Sequence, residues 1–166
     1  HPLFVGRTKD PAKAFSRIKD LFYQDNTRPL TLIPGEDSCP SNVQSTGKLT
    51  PKEIIPYYKN SSCLIVPSKW ESGPLVALEA LAQGCPVVID KIGVLPTYKE
   101  LPIGIQFVKN PHDIKSWEEA ITLAETNFPP SSRETRALSN QKLIPNWEKC
   151  TSLLFKAVVE SKPSKY

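Results

Sequence analysis

Short runs of consecutive apolar residues recur along the chain, and they constrain its fold more than any other feature of the sequence. Most of them stop at a Gly or a Pro, as buried strands do; they are Leu3–Val5, Leu30–Ile33, Cys63–Val66, Pro86–Ile89 and Ile105–Val108. A strand that is apolar on both faces belongs to a parallel sheet covered by helices on both sides. The polar stretch between the second and third runs leaves room for one more short strand, at Val43.

Helical patterns fill the segments between these runs. The segment Thr50–Glu53 carries the signature of a capped helix start, and we expect that helix to run to about Lys59. Pro74 at a first helical turn and Gly84 beyond a last one predict a second helix over residues 75–82. Apolar spacing predicts further helices, over residues 12–22, 113–126, 133–140 and 147–160.

Strand and helix therefore alternate, which predicts an α/β fold, a Rossmann-like doubly wound parallel sheet flanked by helices. With 166 residues and 18.5 kDa, the chain has the size of one domain. We expect that domain to cover residues 1–160 and the polar residues 161–166 to form a disordered tail. Ligands bind such sheets at the carboxyl ends of the strands. The loops at that edge follow Val5, Ile33, Val66 and Ile89.

Composition excludes several classes of protein. The net charge of 21 − 17 = +4 is too low for a dedicated nucleic-acid binder, and no apolar run approaches the ~18 residues of a membrane-spanning helix. The four cysteines lack the spacing of a zinc site, so we expect free thiols in an intracellular protein. Histidine occurs only at His1 and His112, which gives little support to nucleophilic catalysis. The chain has no Met and begins at His1, so we interpret it as a piece of a longer protein.

The loop and helix after Val66 carry the strongest candidate site. A helix start offers unpaired N–H groups and a positive dipole end, and Gly73 lets an anion approach that backbone closely. Glu71 lies just before the helix, and Glu79 lies near its second turn among apolar neighbours. We therefore expect a helix buried nearly all round, in which the Glu79 carboxylate needs partners. Those partners could be the sugar hydroxyls of a ligand, or they could be a nearby Lys or Arg.

The loop after Val5 adds two cations near the same crevice. Arg7 can hold a diphosphate through two nitrogens and Lys13 can act as a point charge, unless both are solvated surface cations. The chain contains neither a Walker A sequence nor G-x-G-x-x-G, which argues against a nicotinamide cofactor. It also lacks an Asp-x-Asp pair. A diphosphate would then be neutralised without metal, by these cations and by the backbone between Glu71 and Leu75.

Taken together, these residues resemble the C-terminal domain of retaining glycosyltransferases with the two-domain GT-B fold, the glycosyl transferases group 1 type with a Glu-x7-Glu motif. The specific signature block comprises Leu64-Ile65-Val66-Pro67-Ser68, Glu71, Leu75, Glu79-Ala80-Leu81-Ala82, Gly84 and Pro86-Val87-Val88. Weaker pieces follow the family order, at Phe4–Arg7 with Lys13, Thr31–Gly35, Gly47, Gly93–Pro96 and Asn146–Glu148. Three positions depart from the family: Ala14 replaces Gly, Ser72-Gly73-Pro74 replaces Gly-Phe-Gly, and Thr97 replaces Glu.

The resemblance implies a role for each candidate residue. Glu71 would be the catalytic residue, in contact with the transferred sugar, and Glu79 would bind the ribose hydroxyls. The residues that would bind the donor diphosphate are Arg7, Lys13, Ser72, Gly73, Pro74 and Leu75. Backbone N–H groups for phosphate or sugar would come from Gly73, Pro74 and Leu75. Those that would flank the base are Gly47, Lys48 and Leu49. The resemblance implies no metal and no other cofactor.

The implied function is transfer of a hexose-type sugar from a nucleotide-diphosphate donor to a glycan, lipid or other acceptor, with retention of anomeric configuration, in polysaccharide or glycoconjugate synthesis. The acceptor site would lie in an N-terminal domain outside this chain, so the chain alone would bind donor without transferring sugar. We expect a cytoplasmic protein without a nucleic-acid partner; peripheral association of the parent with the inner face of a membrane stays open. A non-catalytic nucleotide-sugar or protein-binding module, and a GT-B-like epimerase or phosphorylase, are the alternatives.

Overall fold

This computed structural model describes residues 1–24, 27–93 and 95–144, and in these residues six parallel strands form a single sheet. The strands are β1 (Leu3–Val5), β2 (Leu30–Ile33), β3 (Val43–Ser45), β4 (Leu64–Val66), β5 (Val87–Ile89) and β6 (Ile105–Phe107). Their order in the sheet is β3-β2-β1-β4-β5-β6. All the predicted strands are present, within a residue or two of the expected ends, and the doubly wound α/β fold is confirmed.

The strand order reverses beside β1. The chain first builds outward from β1 to β3, and then returns to place β4 on the other side of β1. The carboxyl ends of β1 and β4 therefore open a crevice at the switch point, where sheets of this type bind ligands. The loops that follow Val5 and Val66 border this crevice.

Within the described ranges, the helices α2 (Pro51–Asn60), α3 (Leu75–Ala82) and α4 (Ile114–Asn127) pack on the sheet, and α5 (Arg133–Leu143) packs on α3. The predicted start of α2 is confirmed, because the Thr50 hydroxyl accepts from the Glu53 amide and the Glu53 carboxylate accepts from the Thr50 amide at 2.8 Å. Helix α5 anchors the end of α3, since the Asn140 amide group donates to the carbonyl of Leu81 at 2.9 Å. These contacts fix the helix that follows the candidate loop.

The prediction of one helix over residues 12–22 is wrong. The segment forms only a 3₁₀ turn at Phe15–Arg17 and the short helix α1 at Asp20–Tyr23. Ala14 directly precedes the 3₁₀ turn and has φ 47° and ψ 42°. This left-handed conformation interrupts any right-handed helix. The interruption still lets apolar side chains of the segment enter the core; those buried are Phe15, Ile18 and Phe22.

The core consists of two clusters, one on each face of the sheet. Alternate strand residues separate them: Phe4 and Ile65 lie in one cluster with Trp117 of α4, whereas Leu3 and Leu64 lie in the other, which contains residues of α2 and α3. The second cluster lies beneath the candidate site, and its largest fully buried side chain is that of Tyr58.

Three of the cysteines fall in the described residues, and all three are free. Burial raises the pKa of the Cys63 thiol, and it raises that of Cys85 to about 12. Among the helices of the described ranges, none is both long and apolar enough to cross a bilayer. The predicted helix over residues 147–160, the segment Asn146–Glu148, Cys150 and the tail at 161–166 lie outside those ranges.

Candidate functional site

The loops after β1, β4 and β5 are tied together at the switch point. The Lys69 amide donates to the Ala12 carbonyl at 2.8 Å, which joins the loops after β4 and β1. The Arg17 guanidinium donates to the Pro67 carbonyl at 3.2 Å and lies 3.6 Å from the Asp90 carboxylate, which follows β5. The segments after β1 and β5 thus converge on the loop after β4, which carries Glu71.

Glu71 is held through one of its two carboxylate oxygens. The Lys13 Nζ atom lies 2.6 Å from Oε1, and the Ser68 hydroxyl donates to the same oxygen at 2.9 Å. The Ser68 side chain is buried, and only 14% of the Glu71 side chain is exposed. The other oxygen, Oε2, accepts no hydrogen bond from the described residues. The fold therefore fixes the carboxylate and leaves one oxygen available.

Gly93, in the turn after β5, closes the loop from the other side. Its φ of +63° is left-handed, and a Cβ atom there would lie 2.7 Å from the Glu71 carbonyl oxygen and 3.1 Å from that of Ser72. No side chain fits at this distance, so glycine is required by both conformation and space. A hollow at this point is lined by Lys69, Trp70, Glu71, Ser72, Ile92 and Gly93.

The start of α3 presents backbone N–H groups beside Glu71. The prediction that Pro74 and Leu75 offer backbone N–H groups is wrong, because Pro74 has no N–H group and the amide of Leu75 already donates to the Gly73 carbonyl at 2.8 Å. The amides of Ser72, Gly73 and Val76 donate to no backbone or side-chain acceptor within the described ranges. A Cβ atom on Gly73 would meet nothing within 4 Å. Three amides at the start of α3 are therefore without a protein acceptor in the described ranges, and one of them, that of Val76, was not predicted from the sequence.

The prediction that α3 is buried nearly all round is wrong. Leu75 is 67% exposed, and Glu79 is exposed as well. The face made of Ala77, Ala80 and Leu81 is buried in the second core cluster. Val76 and Leu78 are only partly buried against the same cluster. The Glu79 carboxylate therefore needs no internal partner to offset a cost of burial.

Glu79 accepts one hydrogen bond, from a residue that sequence reasoning missed. The Tyr58 hydroxyl, on α2, donates to Glu79 Oε2 at 3.0 Å. Among the described residues Glu79 forms no salt bridge, so the alternative of a Lys or Arg partner is not what the structure shows. Burial of the ring and the nearby Glu79 charge raise the pKa of Tyr58, which keeps the hydroxyl protonated as a donor.

Arg7 lies at the rim of the site. Its side chain is 79% exposed, and its guanidinium binds Asp10 at 2.7 Å. The Asp10 carboxylate also accepts from the Ala12 amide at 2.9 Å, and this bond, together with Arg7, holds the pKa of Asp10 below its usual value. The structure thus brings Lys13 to Glu71 but leaves Arg7 paired within its own loop.

The residues predicted to flank a base lead into α2. Gly47 and Lys48 are exposed, and a Cβ atom on Gly47 would meet nothing within 4 Å. Leu49 is half-buried against the second core cluster. A hollow of about 270 Å³ between α2 and α3 begins next to this segment; its lining residues are Pro51, Ile54, Ile55, Tyr58, Glu79, Ala82 and Gln83. Pro51, which follows the segment at 47–49 along the chain, and Glu79 both line this hollow.

Comparison with known proteins identifies the family. The family described as glycosyl transferases group 1 matches residues 36–141. A D-inositol 3-phosphate glycosyltransferase of Corynebacterium efficiens is 33% identical over 114 residues, which cover 56% of this chain and 27% of the relative. The chain thus spans about a quarter of the length of that relative.

Two solved structures share the fold. Sucrose-phosphate synthase from Thermosynechococcus elongatus superimposes on 97% of this chain and 46% of its own, with a TM-score of 0.74 and 22% identity. Anabaena HepE, solved in complex with UDP, superimposes on 95% of this chain and 48% of its own, with a TM-score of 0.71 and 13% identity. This chain therefore corresponds to about half of each of these GT-B proteins.

Proposed function

The chain belongs to the glycosyl transferases group 1 family, and we propose that it is the donor-binding half of a retaining, metal-independent glycosyltransferase. The donor would be a nucleotide-diphosphate sugar carrying a hexose. The observation that carries the proposal is the pairing of Lys13 with Glu71 at 2.6 Å, directly beside the open amides at the start of α3. A cation, an anion-binding backbone and a carboxylate then meet at one point of the crevice.

The diphosphate would bind where positive charge and free N–H groups converge. The amides of Ser72, Gly73 and Val76 and the dipole of α3 favour an anion, and Lys13 supplies a full charge within the same site. A diphosphate would compete with Glu71 for Lys13, and Ser68 would still hold the carboxylate after Lys13 turned away. Arg7 is exposed, so exchange of Asp10 for a phosphate oxygen would cost little.

In this proposal Glu71 acts on the transferred sugar. A carboxylate repels phosphate but accepts hydrogen bonds from sugar hydroxyls, and it favours the positive charge that develops at the anomeric carbon. Its free oxygen, Oε2, is the atom available for this role. Charge on the departing diphosphate would be stabilised by Lys13 and the backbone amides, without a metal. The interaction strengthens in the transition state, so it accelerates transfer rather than only tightening binding.

The nucleoside would extend from this point toward α2. Glu79 lies one helical turn beyond Leu75 and would accept hydrogen bonds from the ribose hydroxyls, and the base would lie near Gly47, Lys48 and Leu49. We propose that a further domain supplies the acceptor site, since the chain covers about half of the GT-B structures to which it is similar. The acceptor would be a glycan or a lipid-linked group.

Donor binding is tested on the chain itself. We expect UDP, GDP or ADP to bind in calorimetric titrations with equal affinity in the presence and absence of EDTA. Lys13→Gln should weaken this binding about tenfold or more, because a charge-assisted contact to phosphate is lost. Lys115→Gln, an exposed lysine on α4, is the control and should bind as the wild type does. Failure of all three nucleotides to bind, or loss of binding on chelation, would contradict the proposal.

The catalytic role is tested in the full-length enzyme. Glu71→Ala should lower the turnover number much more than it changes the Michaelis constant for the donor. An unchanged turnover number would remove Glu71 from the mechanism and favour the non-catalytic alternative. The stereochemistry of the product, read by NMR at the anomeric carbon, tests retention independently.

A further inference from the structure

We propose that Tyr58 is a positioning residue that fixes the Glu79 carboxylate for the ribose of a nucleoside diphosphate, and that it thereby sets the preference for ribonucleotides over dideoxynucleotides. The inference rests on the proposed function, in which Glu79 meets the ribose. Neither the family signature nor the sequence pattern singles out Tyr58 for this role.

The contact is selective for one oxygen of the carboxylate. The Tyr58 hydroxyl donates to Glu79 Oε2 at 3.0 Å, and Oε1 accepts no hydrogen bond from the described residues. An exposed glutamate without such a contact would change rotamer freely and would lose that freedom on binding a ligand. The phenol restrains the side chain in advance and leaves the other oxygen without a protein partner in the described residues.

Tyr58 is packed in the core, which qualifies it as a support. Its side chain is 1% exposed and belongs to the second core cluster. The end of α2 is tied down as well, because the Arg133 guanidinium donates to the carbonyls of Tyr58 at 2.9 Å and Ser61 at 2.6 Å. A rigid donor thus reaches from the core to a surface carboxylate, and core packing alone does not require its hydroxyl.

The position of the pair agrees with a nucleoside site. Tyr58 and Glu79 line the hollow of about 270 Å³ that begins at Pro51, next to the segment predicted to flank the base. A nucleoside whose base contacts Leu49 and whose ribose meets Glu79 would therefore follow this hollow. The polar groups of Tyr58 and Glu79 meet at the ribose end.

The experiment compares each ribonucleotide with its 2′,3′-dideoxy counterpart. UDP, GDP and ADP are titrated into the chain, each beside its dideoxy form. The quantity compared is the dissociation constant of the dideoxy form divided by that of the ribonucleotide. Tyr58→Phe keeps the ring in the core and removes only the hydroxyl. Tyr57→Phe is the matched control, because Tyr57 is the neighbouring half-buried tyrosine of α2 and its hydroxyl makes no hydrogen bond to the described residues.

We expect Tyr58→Phe to weaken ribonucleotide binding about fivefold, with little change for the dideoxy form, so that the ratio falls. In a Glu79→Ala background the same substitution should leave the ratio unchanged, because Tyr58 acts through Glu79. Tyr57→Phe should keep the wild-type ratio. Thermal unfolding of each variant checks that it is folded at the titration temperature.

Several results would overturn the inference, each in a recognisable way. Equal loss for both nucleotide forms, or a Tyr58→Phe chain that does not fold, would make the hydroxyl structural. No loss for either form would show that Glu79 is positioned without it. A wild-type chain that binds nucleotides but ignores the ribose hydroxyls would refute the role of Glu79 alone. A chain that binds no nucleotide would refute the proposed function itself.

Discussion

The two carboxylates that border α3 are held in different ways. Glu71 is largely buried, and Lys13 and Ser68 converge on one of its oxygens. Glu79 is exposed and accepts a single hydrogen bond, from Tyr58 of α2. The first arrangement depends on loops from three strands, whereas the second depends on two adjacent helices. The Glu71 end is therefore part of what stabilises the fold, and the Glu79 end is open to a ligand at little cost in stability.

The difference follows from where each residue lies relative to the sheet. Glu71 lies at the switch point, where Arg17 joins the Pro67 carbonyl and Asp90 and where Gly93 packs against the loop. Glu79 lies one turn along a helix that buries only a small face. We therefore expect substitutions around Glu71 to change both stability and binding, and substitutions at Glu79 to change binding alone.

Gly93→Ala should have the largest effect, because it breaks the support of the Glu71 end. The added Cβ atom would lie 2.7 Å from the Glu71 carbonyl in a left-handed conformation, and strain with displacement costs about 2–4 kcal/mol. Gly73→Ala, in the same loop, has open space and should cost less than about 1 kcal/mol. Chemical denaturation measures both; equal effects would contradict the packing of Gly93 against this loop.

Ser68→Ala should have the next largest effect. It removes a buried donor from a largely buried carboxylate, which costs about 1.5–3 kcal/mol for a hydrogen bond to a charged group. Ser72→Ala is the control, because Ser72 is exposed in the same loop. Denaturation midpoints compare the two, and a Ser68 variant as stable as the control would show that Lys13 alone holds Glu71.

The comparison itself is tested by the same substitution at both carboxylates. Glu71→Gln loses the charge that Lys13 faces in a largely buried position and should cost about 1–2 kcal/mol. Glu79→Gln keeps an acceptor for Tyr58 on an exposed surface and should change stability by less than about 0.5 kcal/mol. The free energies of unfolding of the two variants are compared. A larger loss of stability for Glu79→Gln than for Glu71→Gln would contradict the view that the Glu71 end stabilises the fold and the Glu79 end does not.

Local signals in the sequence predicted much of the fold. The capping box at Thr50 and Glu53 and the strand at Leu64–Val66 are determined by neighbours in the chain, and both are confirmed. The predicted helix over residues 12–22 is not confirmed, because a single left-handed residue, Ala14, interrupts the helical pattern. The spacing of apolar residues does not register such a change in one φ angle.

The sequence predicted which residues lie at the candidate site, but it did not predict which of them are in contact. Lys13 and Glu71 were both expected at the crevice, yet nothing in the sequence links residues 58 positions apart as an ion pair. The exposure of Glu79 was missed, since the apolar composition of α3 conceals how small its buried face is. Tyr58 was missed because a tyrosine in a helix indicates core packing and gives no direction for its hydroxyl.

Ala14→Gly should have the smallest effect among these substitutions. The change removes a buried methyl group and increases the conformational entropy that the chain loses on folding, but it relieves left-handed strain beside Lys13. We expect the free energy of unfolding to change by no more than about 0.5 kcal/mol. Ala77→Gly, at an equally buried alanine in the interior of α3, has no strain to relieve and should cost about 1–2 kcal/mol. Thermal or chemical denaturation compares them; equal losses would argue against the left-handed backbone at Ala14.

The most direct test of the account is an amide NMR titration of the chain with UDP, GDP and ADP in the presence of EDTA. For a nucleotide that binds, we expect the largest shifts on the amides of Ser72, Gly73 and Val76, with smaller shifts around Glu79 and Leu49. Saturable shifts confined to another part of the sheet edge, with these amides unmoved, would contradict the placement of the donor at the start of α3.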